Sequence, residues 1–288
     1  MWIWRRSVVG QCMFYDRQNR LSSIDLYIIY VGMHSVYNPF TLEGRNIIVT
    51  GASGGIGRQV AVSCSRMGAR VVLIGRNEER LSEAMSSLDG SGHLSFSYDL
   101  TNLDGMKDLV ADIVSRTGPI DGLVNCAGIS AALPLKLMTP EKVHAFFSTN
   151  VFAAIEFTRH VLSVKNISKQ GASVLFFASV MGCVGESAKS LYGMTKGALI
   201  SGARSLAVEY APKNIRVNVV SPGVVETAIN KDQPYLADPE RRKVTESLHL
   251  LGLGTTEDIA NACIFLLSDA SRWVTGQNFI IDGGYTIR

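Results

Sequence analysis

Beyond residue 44, short β-rich stretches alternate with longer amphipathic stretches along the chain. Short apolar runs bounded by turn residues are typical of strands, whereas apolar residues at helical spacing indicate helices. Strands are predicted at residues 46–50, 70–74, 94–98, 122–125, 173–178, 216–220 and 278–281. Helices are predicted at residues 57–67, 78–88, 104–116, 140–164, 192–209 and 256–267. The alternation predicts an α/β, doubly wound (Rossmann) fold, with a seven-stranded parallel sheet and helices on both faces.

The same pattern indicates how the chain is divided. No linker, repeat or change of composition follows residue 40, so residues 41–288 are predicted to form a single domain after an amino-terminal extension, residues 1–40. The apolar run at residues 24–31 contains Asp25 and is shorter than the roughly 20 residues that span a bilayer. No signal-peptide pattern is found either. The extension is interpreted as sequence upstream of a true start at Met33, as a membrane-surface anchor or as an oligomer contact; we favour the first and expect it to be poorly ordered.

Composition narrows the function. The chain has 288 residues, 47% of them hydrophobic and 18% charged, which is enough apolar sequence for a sizeable core. A net charge of +3 does not predict a nucleic-acid partner. The five cysteines are far apart and form no Cys-x-x-Cys pair, and the five histidines are scattered. We therefore predict no disulfide framework, no metal site and a reducing, cytoplasmic compartment.

A glycine-rich turn links the first predicted strand to the first predicted helix, in the sequence Ile47-Ile-Val-Thr-Gly-Ala-Ser-Gly-Gly-Ile-Gly57. Glycines allow a tight turn and a close approach of the backbone to a pyrophosphate, which then faces the amino terminus of the helix. A glycine-rich turn alone is weak support, but here the required strand and helix flank it. The predicted dinucleotide contacts in this turn are Gly51, Ser53, Gly55, Ile56 and Gly57.

The second predicted strand leads into Gly75, Arg76 and Asn77. An NAD-specific site normally carries an acidic residue here, which holds the adenine ribose and repels a phosphate. Arg76 offers a planar donor fork suited to a 2′-phosphate instead, although a solvated surface arginine is the alternative. We therefore predict NADP(H) in preference to NAD(H), with Ser53 and Asn77 as further ligands of that phosphate.

The candidate chemistry lies between Ser179 and Lys196. A helix would place Tyr192 and Lys196 on one face, one turn apart. An ammonium so close is expected to lower the tyrosine pKa, so that Tyr192 exchanges a proton near neutral pH. Ser179 follows an apolar strand and is placed to hydrogen-bond the same substrate oxygen. Tyr-x-x-x-Lys alone is frequent in ordinary helices, so the prediction depends on the other motifs.

Those motifs follow in a characteristic order. The chain contains Thr50-Gly-x-x-x-Gly-Ile-Gly57, Asp99-Leu100, Asn125-Cys-Ala-Gly128, Asn150, Ser179, Tyr192-x-x-x-Lys196, Ser221-Pro-Gly223 with Thr227, and Asp282-Gly-Gly284. Across residues 42–288 it therefore resembles the short-chain dehydrogenase/reductase family.

The resemblance implies roles for individual positions. Asp99 would bind the adenine amine beside the Leu100 backbone, with a turn cap as the alternative role. Asn150 would hold a helix kink and a water next to Lys196, which would also bind the ribose hydroxyls; an ordinary buried asparagine is the alternative. Cys126 departs from the usual Asn-Asn-Ala-Gly. Residues 228–253 would form a mobile substrate lid. Further implied cofactor contacts are Asn125, Ala127, Gly128, Tyr192, Lys196, Pro222, Gly223, Val225 and Thr227.

The activity implied is reduction of a ketone to a secondary alcohol, with Tyr192 as general acid, Ser179 on the carbonyl oxygen, and Lys196 and Asn150 supporting them. In length and motif spacing the chain is most similar to 3-oxoacyl-[acyl-carrier-protein] reductases, which implies fatty acid biosynthesis, an acyl carrier protein partner and a homotetramer. A dehydrogenase of a sugar, steroid or other cyclic alcohol and a non-catalytic cofactor-binding protein are the alternatives. An acidic carrier favours a basic rim, for which the candidates are Lys165, Lys169, Lys213 and Arg216, although solvated faces are the default interpretation. The side chains that suggest a partly apolar pocket, and that could equally belong to the core, are Leu133, Pro134, Leu135, Met138, Met181, Val184 and Leu191.

Overall fold

The computed structural model describes residues 5–6, 12–13, 37–227, 230 and 233–288. The chain divides into two compact units, residues 1–39 and residues 40–288. In the first unit, the backbone of Arg5–Arg6 pairs antiparallel with that of Cys12–Met13. Met33 and the apolar run at residues 24–31, on which the interpretations of the extension depend, lie outside the described residues.

The second unit is built on a seven-stranded sheet in which every pair of neighbours is parallel. The strands are β1 Asn46–Thr50, β2 Arg70–Gly75, β3 Leu94–Ser97, β4 Gly122–Asn125, β5 Ala172–Phe177, β6 Ile215–Pro222 and β7 Asn278–Ile281. Their spatial order is β3-β2-β1-β4-β5-β6-β7. The predicted fold class is confirmed, and each predicted strand is present with ends that differ by at most two residues.

Helices cover both faces of the sheet. They are α1 Gly55–Arg66, α2 Glu78–Met85, α3 Met106–Thr117, α4 Pro140–Phe147, α5 Ala153–Val161, α6 Ser190–Tyr210, α7 Pro234–Ala237, α8 Pro239–Ser247 and α9 Thr256–Leu267. Side chains of α1 and α9 form one core with β1 and β2, while α3, α5 and α6 form the other. Burying both faces explains why most of the strands read as continuous apolar runs rather than as alternating ones.

Two predicted helices differ from the structure. The helix predicted at 78–88 ends at Met85, because Ser87 and Leu88 donate to carbonyls three residues back and so tighten the last turn. The helix predicted at 140–164 is interrupted by a five-residue π-helical turn, Ser148–Phe152, between α4 and α5. A hydrophobic pattern reports a helical period but not the single extra residue of a widened turn.

The sheet reverses its order of connection at β1, which lies between β2 and β4. The loops that follow β1 and β4 therefore separate at the carboxyl edge, where ligands bind in open α/β sheets. The buried hydroxyl of Thr50 joins them, since it accepts hydrogen bonds from the backbone of Cys126 at 3.1 Å and of Ala127 at 3.2 Å. This edge is the candidate site.

Candidate active site

The glycine turn after β1 has no room for side chains. Gly51 and Gly55 adopt positive φ angles of 67° and 54°, which disfavour other residues. A Cβ on Gly51 would lie 2.9 Å from the backbone of Ala127, and one on Gly57 would overlap the carbonyl oxygen of Gly51. The three glycines therefore let the turn, α1 and the end of β4 pack against one another.

The amino terminus of α1 has no side-chain partner of its own. Gly54 provides no capping group, and the first turn contains no acidic residue. By contrast, the starts of α2, α4, α8 and α9 are capped by Asn77, Thr139, Asp238 and Thr255. A twelve-residue helix that leaves its first N–H groups to a ligand fits a pyrophosphate. The residues present here therefore fit a dinucleotide cofactor.

The end of β2 carries the predicted phosphate ligands. A Cβ on Gly75 would lie 3.2 Å from Oγ of Ser53, so that hydroxyl is adjacent to the strand end that leads into Arg76. Arg76 is exposed, and its guanidinium makes no hydrogen bond or salt bridge within the described part of the chain. Oδ1 of Asn77 accepts from the backbone of Arg80 at 2.8 Å and caps α2, which leaves the amide NH₂ to donate.

Asp99 follows β3 and shows the alternative role considered for it. Its Oδ1 accepts from the backbone N–H and the hydroxyl of Thr101, at 2.9 and 2.8 Å. These bonds, with the nearby Arg76, hold the pKa of Asp99 below its ordinary value. Because one carboxylate oxygen is sufficient for the turn, the adenine contact stays a prediction. Leu100 is buried in the core behind it.

Asn125 is turned away from the cleft. Its side-chain amide donates to Oγ1 of Thr158 on α5 at 2.9 Å, and its own Oδ1 is buried without a partner. Any cofactor contact of Asn125 would therefore come from its backbone. Three residues further on, a Cβ on Gly128 would lie 3.1 Å from Oδ1 of Asn150 and 3.4 Å from Nζ of Lys196. The glycine thus leaves these two polar groups close together at the cleft.

The segment after β6 closes the cleft from the other side. A Cβ on Gly55 would lie 3.5 Å from Cγ2 of Thr227, so this segment reaches the glycine turn. Oδ1 of Asn230 accepts from the backbone of Thr227 at 2.7 Å, while its Nδ2 donates to the Val225 carbonyl at 2.9 Å. Pro222 is buried, and a Cβ on Gly223 would lie 2.9 Å from the Cα of Asp282. Asn230 was not predicted, because no local motif marks it.

Asn150 occupies the widened turn between α4 and α5 and is almost fully buried. Its Oδ1 accepts from the backbone N–H of Ile129 at 2.7 Å, and its Nδ2 donates to the Ile129 carbonyl at 3.0 Å. The same Nδ2 donates to Oγ1 of Thr195 on α6 at 3.0 Å. One side chain therefore fixes the loop after β4 against the helix that carries Tyr192 and Lys196.

Ser179, Tyr192 and Lys196 meet where β5 ends and α6 begins. Nζ of Lys196 lies 5.5 Å from the centre of the Tyr192 ring and donates to the carbonyl of Phe177, the last residue of β5, at 2.8 Å. Ser179 lies two residues beyond that strand, with its side chain close to that of Tyr192. A Cβ on Gly193 would lie 2.7 Å from the Met181 carbonyl, so glycine lets α6 approach the loop after Ser179.

The expected effect of Lys196 on the tyrosine is wrong for this structure. Part of Tyr192 reaches solvent, but its surroundings are dense enough that burial raises its pKa to about 12, against the effect of the Ser179 and Ser130 hydrogen bonds. Burial likewise lowers the pKa of Lys196 to about 8. A desolvated ammonium that is also bonded to a backbone carbonyl does not offset the cost of burying a phenolate. Tyr192 is therefore a protonated phenol at neutral pH.

Besides Asn230, three polar residues near the site were missed by the sequence analysis. The Ser130 side chain, on the loop after β4, lies close to that of Tyr192, and Tyr235 approaches it from α7. His249, expected to be structural or on the surface, is buried two residues beyond α8. Its Nδ1 donates to the Thr245 carbonyl at 2.8 Å, and its Nε2 accepts from the backbone N–H of Val224 at 3.2 Å. No local pattern signals these contacts, since each joins segments far apart in the chain.

The basic residues considered for a rim do not surround the site of their own chain. Lys165 and Lys169 precede β5, and Lys213 precedes β6, so they lie at the amino edge of the sheet, opposite Tyr192. Arg216 lies at that edge too, bonded to Ser271 and Ser268.

The proposed apolar pocket is also divided. Leu191 is buried in the interior. Leu135 and Met138 line a cavity of about 620 Å³ with residues of α4 and the widened turn, apart from the four candidate catalytic residues. Leu135, Met138 and Leu191 therefore do not form one wall of the cleft around Tyr192.

Comparison with known proteins identifies the family of this chain. The profile of a family described as enoyl-(acyl carrier protein) reductase matches residues 51–286. The 3-oxoacyl-[acyl-carrier-protein] reductase of Chlamydia pneumoniae is 34% identical over 248 residues, which cover 85% of this chain and 98% of that protein. This chain belongs to the short-chain dehydrogenase/reductase family.

Other members differ in substrate. A glucose 1-dehydrogenase of Gluconobacter oxydans is 32% identical over 248 residues, covering 85% of this chain and 92% of that protein. A structure from Agrobacterium tumefaciens, solved with bound NADP, superposes with a TM-score of 0.78 at 30% identity, over 88% of this chain and 100% of the other. The protein is thus an oxidoreductase of this family with a nicotinamide dinucleotide site. Among the described residues, no helix combines the length and apolar character needed to cross a membrane.

Proposed function

We propose that the protein reduces a ketone to a secondary alcohol with NADP(H). The observation that carries the proposal is the phenol of Tyr192, held protonated by burial and placed beside Ser179 at the carboxyl edge of the sheet. A neutral phenol is the form that gives a proton to a carbonyl oxygen as negative charge develops on it. Its state therefore supports the reducing direction.

Each residue of the site has a part in that step. A nicotinamide cofactor, when bound at this edge, would supply the hydride that such a reduction needs. Tyr192 donates its proton to the carbonyl oxygen, and Ser179 hydrogen-bonds the same oxygen. Lys196 stabilises the tyrosinate that this transfer leaves, and Asn150 keeps the loop with Gly128 beside Lys196. The residues implied by family resemblance thus divide into proton donor, oxygen ligand and supports.

Replacing Tyr192 with Phe tests the proposal directly. The variant loses only the hydroxyl, so we expect kcat to fall at least about 10²-fold while the NADPH Kd, measured by fluorescence titration, stays within about twofold. Tyr210→Phe is the matched control, because Tyr210 ends the same helix and packs its ring against the core. Full activity of the Tyr192 variant would contradict the mechanism.

The NADP(H) preference is proposed from Arg76. Its exposed guanidinium, which makes no hydrogen bond or salt bridge in the described chain, is suited to a 2′-phosphate. We expect Arg76→Ala to weaken NADPH binding about 10- to 100-fold and to leave NADH binding unchanged. Arg80→Ala, one turn along and equally exposed, is expected to change neither affinity. Equal losses for both cofactors would exclude the phosphate contact.

Two classes of substrate are considered for this reaction. Similarity to 3-oxoacyl-[acyl-carrier-protein] reductases supports an acyl thioester, an acyl carrier protein partner, a role in fatty acid biosynthesis, a homotetramer and a cytoplasmic location. Similarity to sugar dehydrogenases supports a polyhydroxylated substrate instead. The position of Lys165, Lys169 and Lys213, away from Tyr192 of the same chain, favours the second. Rates with NADPH on an acetoacetyl thioester and on a panel of sugars and cyclic ketones separate the two.

A further inference from the structure

Two hydroxyl groups beside Tyr192 have no part in the proton transfer described above. The Ser130 side chain lies close to that of Tyr192 and is itself exposed. It follows Ile129, whose backbone N–H and carbonyl are both held by the buried Asn150. Ser130 is therefore fixed in position, although its side chain is exposed. A fixed, solvent-facing hydroxyl next to the proton donor is placed to contact substrate.

The second hydroxyl belongs to Tyr235, on the lid helix α7. The Tyr235 side chain is half-buried. It lies close enough to Tyr192 that a negative charge on one tyrosine would repel a negative charge on the other. Asn230, which also bonds the backbone around Thr227, lies close to the Tyr235 side chain. Tyr235 from α7 and Ser130 from the loop after β4 therefore both approach the catalytic tyrosine.

A carboxylate lies further out on the same side. Glu186, in the loop between β5 and α6, is exposed, interacts electrostatically with Tyr235 and accepts a hydrogen bond from the Tyr285 hydroxyl at 3.4 Å. The neighbouring Lys189 lies 6.0 Å from the centre of the Tyr192 ring. The cleft thus presents hydroxyl groups together with one charge of each sign, rather than a uniformly basic surface.

The nearby basic residue of the lid is already paired. Arg242 binds Glu226 and Glu246, each at 2.8 Å. Arg242 is therefore not free for an acidic partner, whereas Ser130, Tyr235 and Glu186 offer groups that donate and accept hydrogen bonds. Such a lining suits a ligand with many hydroxyls, because each one it buries needs a partner.

We propose that the substrate is a polyhydroxylated carbonyl compound, with Ser130 and Tyr235 binding the hydroxyl next to the reacting carbonyl and Glu186 accepting from a more distant one. This inference rests on the proposed carbonyl reduction. The hydride from the cofactor and the proton from Tyr192 convert C=O into CH–OH, and the flanking hydroxyls are unchanged. Ser130, Tyr235 and Glu186 determine specificity and take no part in the bond changes.

Two ketones of equal size test it. Dihydroxyacetone and 3-pentanone have the same number of heavy atoms, but only the first carries hydroxyls beside the carbonyl. A site built to bind a hydroxyl discriminates strongly against an analogue without it. We expect wild-type kcat/KM with NADPH to be at least about 30-fold higher for dihydroxyacetone, and higher than for an acetoacetyl thioester.

Single substitutions test which residues cause the preference for dihydroxyacetone. Ser130→Ala and Tyr235→Phe are each expected to lower kcat/KM for dihydroxyacetone about 5- to 20-fold and to leave 3-pentanone within about twofold. Ser187→Ala, on the exposed loop beside Glu186, is the control and is expected to change neither. Calorimetric titration of the NADP⁺-loaded variants with glycerol, the product alcohol, adds a readout without turnover, and thermal melts check folding.

The outcomes separate the two proposals. If no ketone, sugar or thioester is reduced while NADPH binds, the proposed carbonyl reduction fails. If both matched ketones are reduced at similar rates, or the thioester is preferred, carbonyl reduction stands and the polyhydroxylated substrate is overturned. The role of Ser130 and Tyr235 is overturned if their variants lower both ketones equally.

Discussion

Tyr192 and Lys196 show that burial outweighs proximity at this site. The ammonium and the phenol lie within one turn of each other, yet the pKa of the tyrosine is raised to about 12 and that of the lysine is lowered to about 8. Both changes favour the uncharged form, as desolvation requires. Two serine hydroxyls, from Ser179 and Ser130, act against the effect on the tyrosine. Ser179 and Ser130, which flank Tyr192, therefore affect the pKa of the tyrosine.

The buried lysine leads to a pH-dependent stability. Below about pH 8 its ammonium is buried in the native protein, whereas in the unfolded chain it stays protonated up to about pH 10.5. Between these values the unfolded state binds more protons, so the free energy of unfolding rises with pH. Between pH 7 and pH 10, the unfolding free energy of wild type is expected to rise by up to about 3 kcal/mol relative to that of Lys196→Met.

Urea unfolding of both proteins at the two pH values measures this difference. Lys107→Met, which removes an exposed lysine on α3, is the control and is expected to show no such change. A wild-type-to-variant difference that does not vary with pH would mean that Lys196 titrates near its ordinary pKa in the folded protein.

At the scale of elements, the widened turn Ser148–Phe152 determines the geometry of the site. It directs Asn150 inward, where the side chain bonds both backbone groups of Ile129 and the hydroxyl of Thr195. The sequence pattern predicted one continuous helix here, because the apolar residues keep a helical period on both sides of the turn. Only the resemblance to a family indicated that Asn150 was special, and only the structure identifies its partners.

Removing this side chain is expected to affect both stability and activity. Asn150→Ala leaves the partly buried N–H and carbonyl of Ile129 unpaired, which we expect to cost about 2–4 kcal/mol of unfolding free energy. Because Gly128 and Ser130 flank Ile129, kcat is expected to fall at least about tenfold as well. Asn166→Ala is the matched control, since Asn166 is also buried but donates to the His160 carbonyl, in the last turn of α5. It should lose stability without losing kcat.

The comparison is made by urea unfolding and by steady-state rates below the melting transition. If the two variants lose kcat equally, the effect of Asn150 is general destabilisation. If the Asn150 variant keeps its kcat, the widened turn does not position the loop for catalysis.

For the molecule as a whole, sequence reasoning succeeded where the signal is local. The seven strands and the glycine turn each depend on a few consecutive residues, and all are present in the structure. The alternation of strands with helices predicted that the strands are parallel, as they are. Contacts between distant segments were not predictable, because Ser130, Tyr235 and His249 reach the site only through the tertiary fold. The basic rim was a different error, since parallel strands place Lys169 and Lys213, which precede strands, at the edge away from the site.

The lid provides the last prediction. Arg242 on α8 bridges to Glu226, in the segment after β6, and to Glu246 on its own helix. It therefore ties the lid to the segment that closes the cofactor cleft, whereas Lys243 pairs only with Glu240 on α8. Because these groups are exposed, the tie is weak and is screened by salt.

We accordingly expect Arg242→Met to raise the substrate KM about two- to fivefold with little change in kcat. Wild-type KM should rise toward that value between low and high salt, whereas the variant's KM should respond less, since the pair is already absent. Lys243→Met removes a more exposed ion pair within one helix and should behave as wild type. Equal effects of the two substitutions would show that net lid charge, and not the bridge from Arg242 to Glu226, governs substrate binding.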